Sequence, residues 1–391
     1  MKCLFVGSVY SDNFKKYLQT QNLPISSAGQ TFESALLEGM GKIMNVNVIS
    51  EFCVPSYPKL KNLKIKSESF ILDTIPCESI SYINVPIIKQ ISQILSYYKY
   101  IRKTSKLFDT VVVYELTSRQ LLPVVLGNRN TKKVAIIPDL PEFMSENRNP
   151  LYLFAKRIDR FLIDWALMRM DGLVLLSPYM RERLLVNNKP WIVIEGLFSS
   201  NDIIGTCKKL EKKVVLYTGK IEKWFGVEDL LEAFTQIKGE EYQLWLCGPG
   251  DIEMINKYSQ KDNRIIYKGC LSHSEVLILQ KESRLLVNPR HSHDEFTRYS
   301  FPSKTMEYMA SGTPTLMSKL KSLPSDYLEH LYLFEDESIE GMSQMIKQCL
   351  DKTDAELDDF GKAAAKFILS NKTSDIQARK LVDFLLQLKL N

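Results

Sequence analysis

The chain reads as an α/β protein of two doubly wound parallel sheets in tandem. Three observations predict this. Short runs rich in Val and Ile alternate with helix-period segments along most of the chain. Glycines, small residues and cations recur in the loops after those runs, the composition of a ligand-bearing sheet edge. The length, 391 residues, exceeds what one core ordinarily takes. Hydrophobic content of 45% and charged content of 25% supply material for two cores.

In the first half, residues 3–6 read as a buried strand, and 32–41 as a helix with Phe32, Leu36, Leu37 and Met40 on one face. Residues 46–50 are a strand. Residues 53–81, rich in Pro, Lys and Ser, read as an irregular excursion. Residues 91–107 form a helix with Tyr and Lys on its outer side, and 109–114, with three valines, a fully buried strand. Residue 134–137 strand, 151–170 long helix, 172–176 strand, 178–187 helix and 191–195 strand complete the series.

The second half repeats the scheme. Strands are expected over 213–217, 242–247, 263–268, 285–288 and 314–317. Helices are expected over 227–235, 251–259, 274–282 and 301–311. Gly, Ser, Asn and Asp cluster between 196 and 209, which marks the connection. The reading is therefore a Rossmann-like domain over residues 1–200 and another over 208–370. An amphipathic helix within 374–391 is expected to pack back on the first domain.

The net charge of +5 divides unevenly: residues 1–200 hold 25 Lys+Arg against 17 Asp+Glu, or +8, and the remainder 26 against 29, or −3. Two basic runs stand out, Lys59, Lys61, Lys64 and Lys66, and Lys99, Arg102, Lys103 and Lys106. They fit an anionic membrane surface or simply solvated faces. No nucleic-acid-binding signature accompanies them, so nucleic acid is not an expected partner. Seven scattered cysteines without C-x-x-C suit a reduced cytoplasmic protein. No apolar run reaches the length of a membrane span, and the first residues lack a signal-peptide pattern.

The chemistry concentrates in residues 299–314, Tyr-Ser-Phe-Pro-Ser-Lys-Thr-Met-Glu-Tyr-Met-Ala-Ser-Gly-Thr-Pro. Pro302 suits a first helical turn, Ser300 or Ser303 a cap, and Gly312 a left-handed end. A helix N-terminus offers free amides to phosphate. Glu307 shares a face with Ser303 and suits a diol, so the pair describes a nucleotide-sugar site. Against this stands an ordinary amphipathic helix with Met306, Met309 and Ala310 inward. Other loops at the same edges are Gly7-Ser8, Ala28-Gly29-Gln30, Gly219-Lys220, Gly248-Pro249-Gly250, Gly269-Cys270 and Pro289-Arg290. Dinucleotide and P-loop glycine patterns and the G-x-S-x-G elbow are absent. His291 and His293 with Asp294 and Glu295 resemble metal ligands, but their i, i+2 spacing lacks a third ligand, so no metal is expected.

Gly219-Lys220 followed by Gly226-Val227-Glu228-Asp229-Leu230-Leu231-Glu232-Ala233 is similar to the donor-domain opening of retaining GT-B glycosyltransferases. Residues 301–314 resemble their donor-binding helix, in the FPSK…EYMASG form of bacterial capsular and exopolysaccharide transferases. The resemblance covers residues 213–320 by motif and the first half by architecture only. It implies that Glu307 holds the nucleotide ribose and that Ser303, Lys304, Thr305 and Lys220 meet the diphosphate. It implies that Tyr267 and Gly269 lie along the base-binding strand and loop, and that Gly29 approaches the donor phosphates. Two positions depart from the pattern. Tyr299 stands where the E-x7-E motif has its first Glu, and Phe225 where a second cation often lies. Arg290 or Arg298 is available for the missing charge and Glu295 for the missing carboxylate. A general base is sought in Asp139, after the strand 134–137, or in Glu115.

The expected protein is a retaining glycosyltransferase moving sugar from a nucleotide-diphosphate sugar to a glycan or lipid-linked acceptor in bacterial surface polysaccharide assembly. It needs no cofactor and no metal, and is cytoplasmic with a peripheral position on the inner membrane face. Basic and aromatic residues of 149–160 either add to that contact or dock a helix on the sheet, the second being expected of Tyr152 and Phe154. Two other readings stay open: a non-catalytic binding or scaffold protein on this fold, and a nucleotide-sugar epimerase.

Overall fold

A computed structural model describes residues 1–23, 28–128, 131–140, 142, 150–186, 188–203 and 205–390. The chain divides into two compact units, Met1–Leu197 with Ser374–Asn391, and Phe198–Thr373.

The first unit opens with β1 (Lys2–Gly7), α1 (Asp12–Thr20), α2 (Ala28–Ile43) and β2 (Asn45–Ser50). The stretch without a readable pattern holds four short strands, β3 (Lys64–Ile65), β4 (Ser69–Leu72), β5 (Ile75–Ser79) and β6 (Tyr82–Ile83). Then come α3 (Ile88–Thr104), β7 (Thr110–Tyr114), α4 (Ser118–Gly127), β8 (Lys132–Ile137), α5 (Pro150–Leu167), β9 (Gly172–Leu175) and β10 (Trp191–Val193). The sheet runs β10-β9-β8-β7-β1-β2-β5-β4, parallel except for β4 on β5, while β3 and β6 pair separately. Successive strands leave β1 in opposite directions, so the order reverses between β1 and β7.

Helix α4 was not legible because Pro123 lies inside it, and a proline reads as a breaker. The helix expected over 178–187 is only a 3-10 turn, Pro178–Arg183. Ser177 caps it by accepting from the Tyr179 amide, and Leu184 is already extended at φ −106° and ψ 134°. Residue 187 lies outside the described residues.

The second unit contains β11 (Lys213–Thr218), α6 (Val227–Thr235), β12 (Tyr242–Cys247), α7 (Ile252–Lys261), β13 (Ile265–Tyr267), α8 (His273–Glu282) and β14 (Leu285–Asn288). It continues through α9 (Ser303–Ala310), β15 (Thr315–Ser318), β16 (Tyr332–Phe334), α10 (Ile339–Asp351) and α11 (Asp354–Asn371). All its pairs are parallel, in the order β13-β12-β11-β14-β15-β16, with the reversal between β11 and β14. Ligands in such sheets sit beyond the carboxyl ends of the strands at the reversal.

The last helix, α12 (Ser374–Leu390), belongs to the first unit. Its Ala378, Leu381 and Leu385 join Leu36, Leu37 and Met40 of α2 in one core cluster. No helix among the described residues is long and apolar enough to cross a membrane. All seven cysteines are free.

Candidate functional site

At the reversal of the second sheet, α9 is pinned to the end of β11. The Thr218 amide donates to the Tyr308 hydroxyl at 2.8 Å, and that hydroxyl lies 3.2 Å from the Thr218 carbonyl. One turn earlier on the helix, Lys304 therefore reaches over the strand end. Its ammonium lies 4.7 Å from the centre of the Tyr217 ring and donates to the Tyr217 hydroxyl at 3.4 Å. Gly219 makes the room: a Cβ there would stand 1.7 Å from Lys304 Nζ, and its φ of +126° is one that side chains rarely adopt.

Burial pushes the Lys304 ammonium down to about 7, and the charge of Arg290 adds to the depression while Glu307 opposes it. Arg290 is held from below by aromatic faces. Its guanidinium lies 4.7 Å from the centre of Phe225 and 5.8 Å from that of Phe296, and Trp224 stacks on Phe296 at 4.4 Å. Phe225 thus answers for the cation expected in its place by supporting Arg290.

The start of α9 differs from its neighbours. Asp251, Ser272 and Thr353 cap α7, α8 and α11 with side-chain hydrogen bonds. Pro302 precedes α9, with no side-chain cap from either expected serine. The amides of Ser303 and Lys304 thus open the helix without a cap, the condition that favours an anion. Ser303 is exposed. Thr305 corrects the expectation: its amide donates to the Pro302 carbonyl at 2.8 Å, and its wholly buried hydroxyl donates to Met317 Sδ at 3.6 Å. Both polar groups serve the interior, so Thr305 is not available to a ligand.

Glu307 lies one helical turn beyond Lys304. Gln280 donates to its Oε1, and His273 Nδ1 stands 3.9 Å from Oε2. His273 in turn meets Asp202 through Nε2 at 3.1 Å. Burial raises the Glu307 carboxyl above its ordinary range, with the Gln280 hydrogen bond pulling the other way. The carboxylate lines a cavity of about 630 Å³ with Asp202, Ile203, Leu277 and Ser311. Sequence reasoning did not single out Gln280 or Asp202.

The remaining expected residues of this unit have surroundings of their own. The Lys220 ammonium is exposed and pairs with Glu222 at 2.6 Å. Tyr267 donates to the Gly248 carbonyl at 2.9 Å. Gly269, at φ +79°, faces open space, and its carbonyl accepts from the Gly248 amide at 2.9 Å. Glu295 is exposed at the start of the 3-10 helix Glu295–Arg298. Tyr299 closes that helix with only 4% of its surface exposed, so this position holds a core ring rather than a ligand-facing group.

The first unit has its own group at the reversal of its sheet. Glu33 of α2 is wholly buried beside Gly7, where a Cβ would stand 1.6 Å from its Oε1. The Ser8 amide and hydroxyl donate to its two oxygens at 2.8 and 3.1 Å. Burial nevertheless raises the carboxyl to about 8. Arg119 of α4 pairs with Glu51 and, at 3.1 Å, with Glu115. Glu115 directly follows β7 at φ +92°, a costly conformation for a non-glycine residue, and burial raises its carboxyl. Ser8, Gln30, Glu51, Glu115 and Arg119 line a cavity of about 830 Å³. Asp139 is exposed after β8, and its charge contributes to raising Glu115. Gly29 lies half-buried in the first turn of α2.

Glu33, Glu51 and Arg119 were missed. Glu33 had a signal, since it falls three residues before Leu36 and seven before Met40 on the apolar face. Glu51 follows β2 at the ligand-bearing edge, and Arg119 was hidden with its helix.

Residues 202–367, nearly the whole second unit, match the family described as glycosyl transferases group 1. That domain makes the chain a glycosyltransferase. The fold, two Rossmann-like parallel-sheet domains, is that of solved GT-B structures. Sucrose-phosphate synthase from Thermosynechococcus elongatus matches with a TM-score of 0.69 at 14% identity, over 99% of either chain. The catalytic domain of starch synthase IV from Arabidopsis thaliana, bound to ADP and acarbose, matches at 0.66 and 8% identity over 100% of both. HepE from Anabaena in complex with UDP matches at 0.64 and 14% identity, over 99% of this chain and 100% of that one. No curated protein matches the sequence.

Proposed function

We propose that the chain is a retaining glycosyltransferase using a nucleotide-diphosphate sugar, with the donor held in the second unit. The observation that carries this is the grouping of Lys304, Arg290, the uncapped start of α9 and Glu307 at one sheet reversal. Two cations in mutual repulsion call for an anion, and a diphosphate supplies it. Glu307, one turn on, accepts from the ribose hydroxyls, and the base lies toward Tyr267 and Gly269. The UDP and ADP in the structures of similar fold support this class of ligand.

Charge builds on the departing diphosphate in the transition state, so fixed cations stabilise it without a metal. The departing phosphate then assists attack on the same face, which retains configuration. The acceptor, a glycan or lipid-linked oligosaccharide of bacterial surface polysaccharide assembly, meets the first unit. The cavity around Glu115, Glu51 and Arg119 offers acceptors and donors for sugar hydroxyls, with Asp139 beside it as the candidate base.

A peripheral place on an anionic membrane has support in the first unit. Phe154, Ile158 and Phe161 of α5 are 62%, 48% and 68% exposed and share a face. Phe154 therefore does not dock on the sheet as expected, and the side chain of Tyr152 lies outside the described residues. Ile88, Ile91 and Leu95 form a similar exposed stripe on α3, joined to α5 by the Gln90–Asp159 hydrogen bond of 3.2 Å. Lys99, Arg102 and Lys103 continue α3 with exposed cations. Apolar side chains beside basic ones suit a headgroup boundary.

Titration calorimetry with nucleoside diphosphates tests the donor reading. Glu307→Gln is expected to weaken binding tenfold or more, which is about 1.4 kcal/mol. Unchanged affinity would remove Glu307 from the site and with it the reading. Product analysis without acceptor separates transfer from epimerisation, because only epimerisation proceeds alone.

A further inference from the structure

The loop after β14 carries His291 and His293, which the donor reading does not use. Their spacing argued against a metal because no third ligand was near in sequence. The structure supplies one from far along the chain. The loop is not helical, and the two imidazoles lie side by side with centroids 5.0 Å apart and planes at 30°. Glu337, just before α10, brings Oε2 to 3.6 Å from His291 Nδ1 and 3.8 Å from His293 Nδ1. The three ligand atoms lie within 4.8 Å of one another. Ligands about 2.0–2.1 Å from a tetrahedral zinc stand about 3.3 Å apart, so small side-chain rotations complete the geometry.

The surroundings prepare the same atoms. Asp229 Oδ2 lies 2.7 Å from His291 Nε2, which makes Nε2 the donor, so the neutral ring turns the lone pair of Nδ1 toward Glu337 and His293. That Nδ1 is buried without a hydrogen-bond partner. Asp294 stands 3.9 Å from Nε2 of His293, the corresponding outer position. The Ser292 amide donates to both oxygens of Glu337, at 3.2 and 2.9 Å, and so holds the carboxylate between the rings. Carboxylates behind the imidazoles and a hydrogen-bonded ligand carboxylate are how proteins orient metal ligands.

We propose that His291, His293 and Glu337 form a site for a divalent zinc ion, with water in the fourth position. Two imidazoles and one carboxylate select a borderline transition metal over magnesium or calcium. The His293 side chain is 74% exposed, which gives the ion its entry. Zinc would tie the loop bearing Arg290 to the start of α10. The site stands on its own geometry and not on the donor reading.

The test is zinc titration of the chelator-treated full chain by calorimetry, with metal counted by mass spectrometry. One equivalent is expected to bind, and zinc but not magnesium is expected to raise the melting temperature. His293→Ala and Glu337→Gln should each weaken zinc binding at least tenfold. The exposure of His293 means its variant should melt like the native chain without metal. Cobalt in place of zinc checks the ligands: weak visible bands without thiolate charge transfer are expected. Absence of stoichiometric binding, equal binding by His293→Ala, or a thiolate band from cysteine ligation would each overturn the proposal.

Discussion

The two units solve one structural problem with opposite charges. In each, the first strand ends on a glycine or directly before one at the reversal of the sheet, and a helix lays an ionisable side chain against that glycine. At Gly7 the group is Glu33, raised to about 8, and at Gly219 it is Lys304, lowered to about 7. Burial pushes each toward its neutral form. The overall charge of each half points the wrong way. Residues 1–200 carry +8, yet their reversal collects Glu33, Glu51 and Glu115, while the remainder carries −3 and gathers Lys304 and Arg290. Net charge counts mostly solvated side chains, whereas a site is set by the few that the fold buries.

The strongest way to break the comparison is Lys304→Met, which keeps the bulk and removes the cation. Nucleoside diphosphate affinity is expected to fall about hundredfold, or about 2.7 kcal/mol. Stability should hold or rise, because an apolar chain is cheaper to bury than an ammonium. The native protein should also bind the diphosphate less well as pH rises above about 7, since the free lysine loses its proton there. Its unfolded state keeps the proton to about 10.5, so native stability should rise with pH between these values and lose that slope in the variant. Calorimetry and denaturant unfolding across pH 6–10 read both. Equal affinity in the variant would take Lys304 off the phosphate.

The counterpart is Glu33→Gln, which copies the neutral carboxyl. The folded value of about 8 lies above the ordinary 4.5, so the native state binds the extra proton between them. That stabilisation is fully present below about 4.5 and is lost as pH rises through about 8, at up to about 1.4 kcal/mol per pH unit. The variant has no such loss, and at pH 8 it should exceed the native chain by about 4 kcal/mol. Urea unfolding at pH 5 and pH 8 measures this. A variant no more stable at pH 8 would mean that Glu33 is ionised in the fold.

These residues also show where sequence reading stops. Hydrophobic period and edge loops disclosed most strands of both sheets, though not β4, β5 or β16, and the helix carrying Lys304 and Glu307, because those signals are local. The capping expectation failed because the start of α9 is uncapped, a feature decided by what surrounds Ser303 rather than by its identity. Glu337 and His291 meet only through the fold of distant segments. Tyr299 read as a missing carboxylate, but its ring is core, and nothing local distinguishes a buried tyrosine from a ligand-facing one.

Phe225 offers the finest test of the cationic reversal. Its ring lies against Arg290 at 4.7 Å and itself meets Trp224 edge to face, with centroids 5.7 Å apart. If the ring's role is to hold the guanidinium toward the phosphate, Phe225→Leu should keep the apolar packing and lose only the cation–π attraction. That attraction is worth about 0.5–1 kcal/mol at an accessible site, so diphosphate affinity should fall by about two- to fivefold. Phe225→Tyr should restore it, because the aromatic face remains. Calorimetry on both variants separates the readings: a loss in leucine without recovery in tyrosine would indicate a packing defect, since Arg290 would then be answering to shape rather than to the charge distribution of the ring.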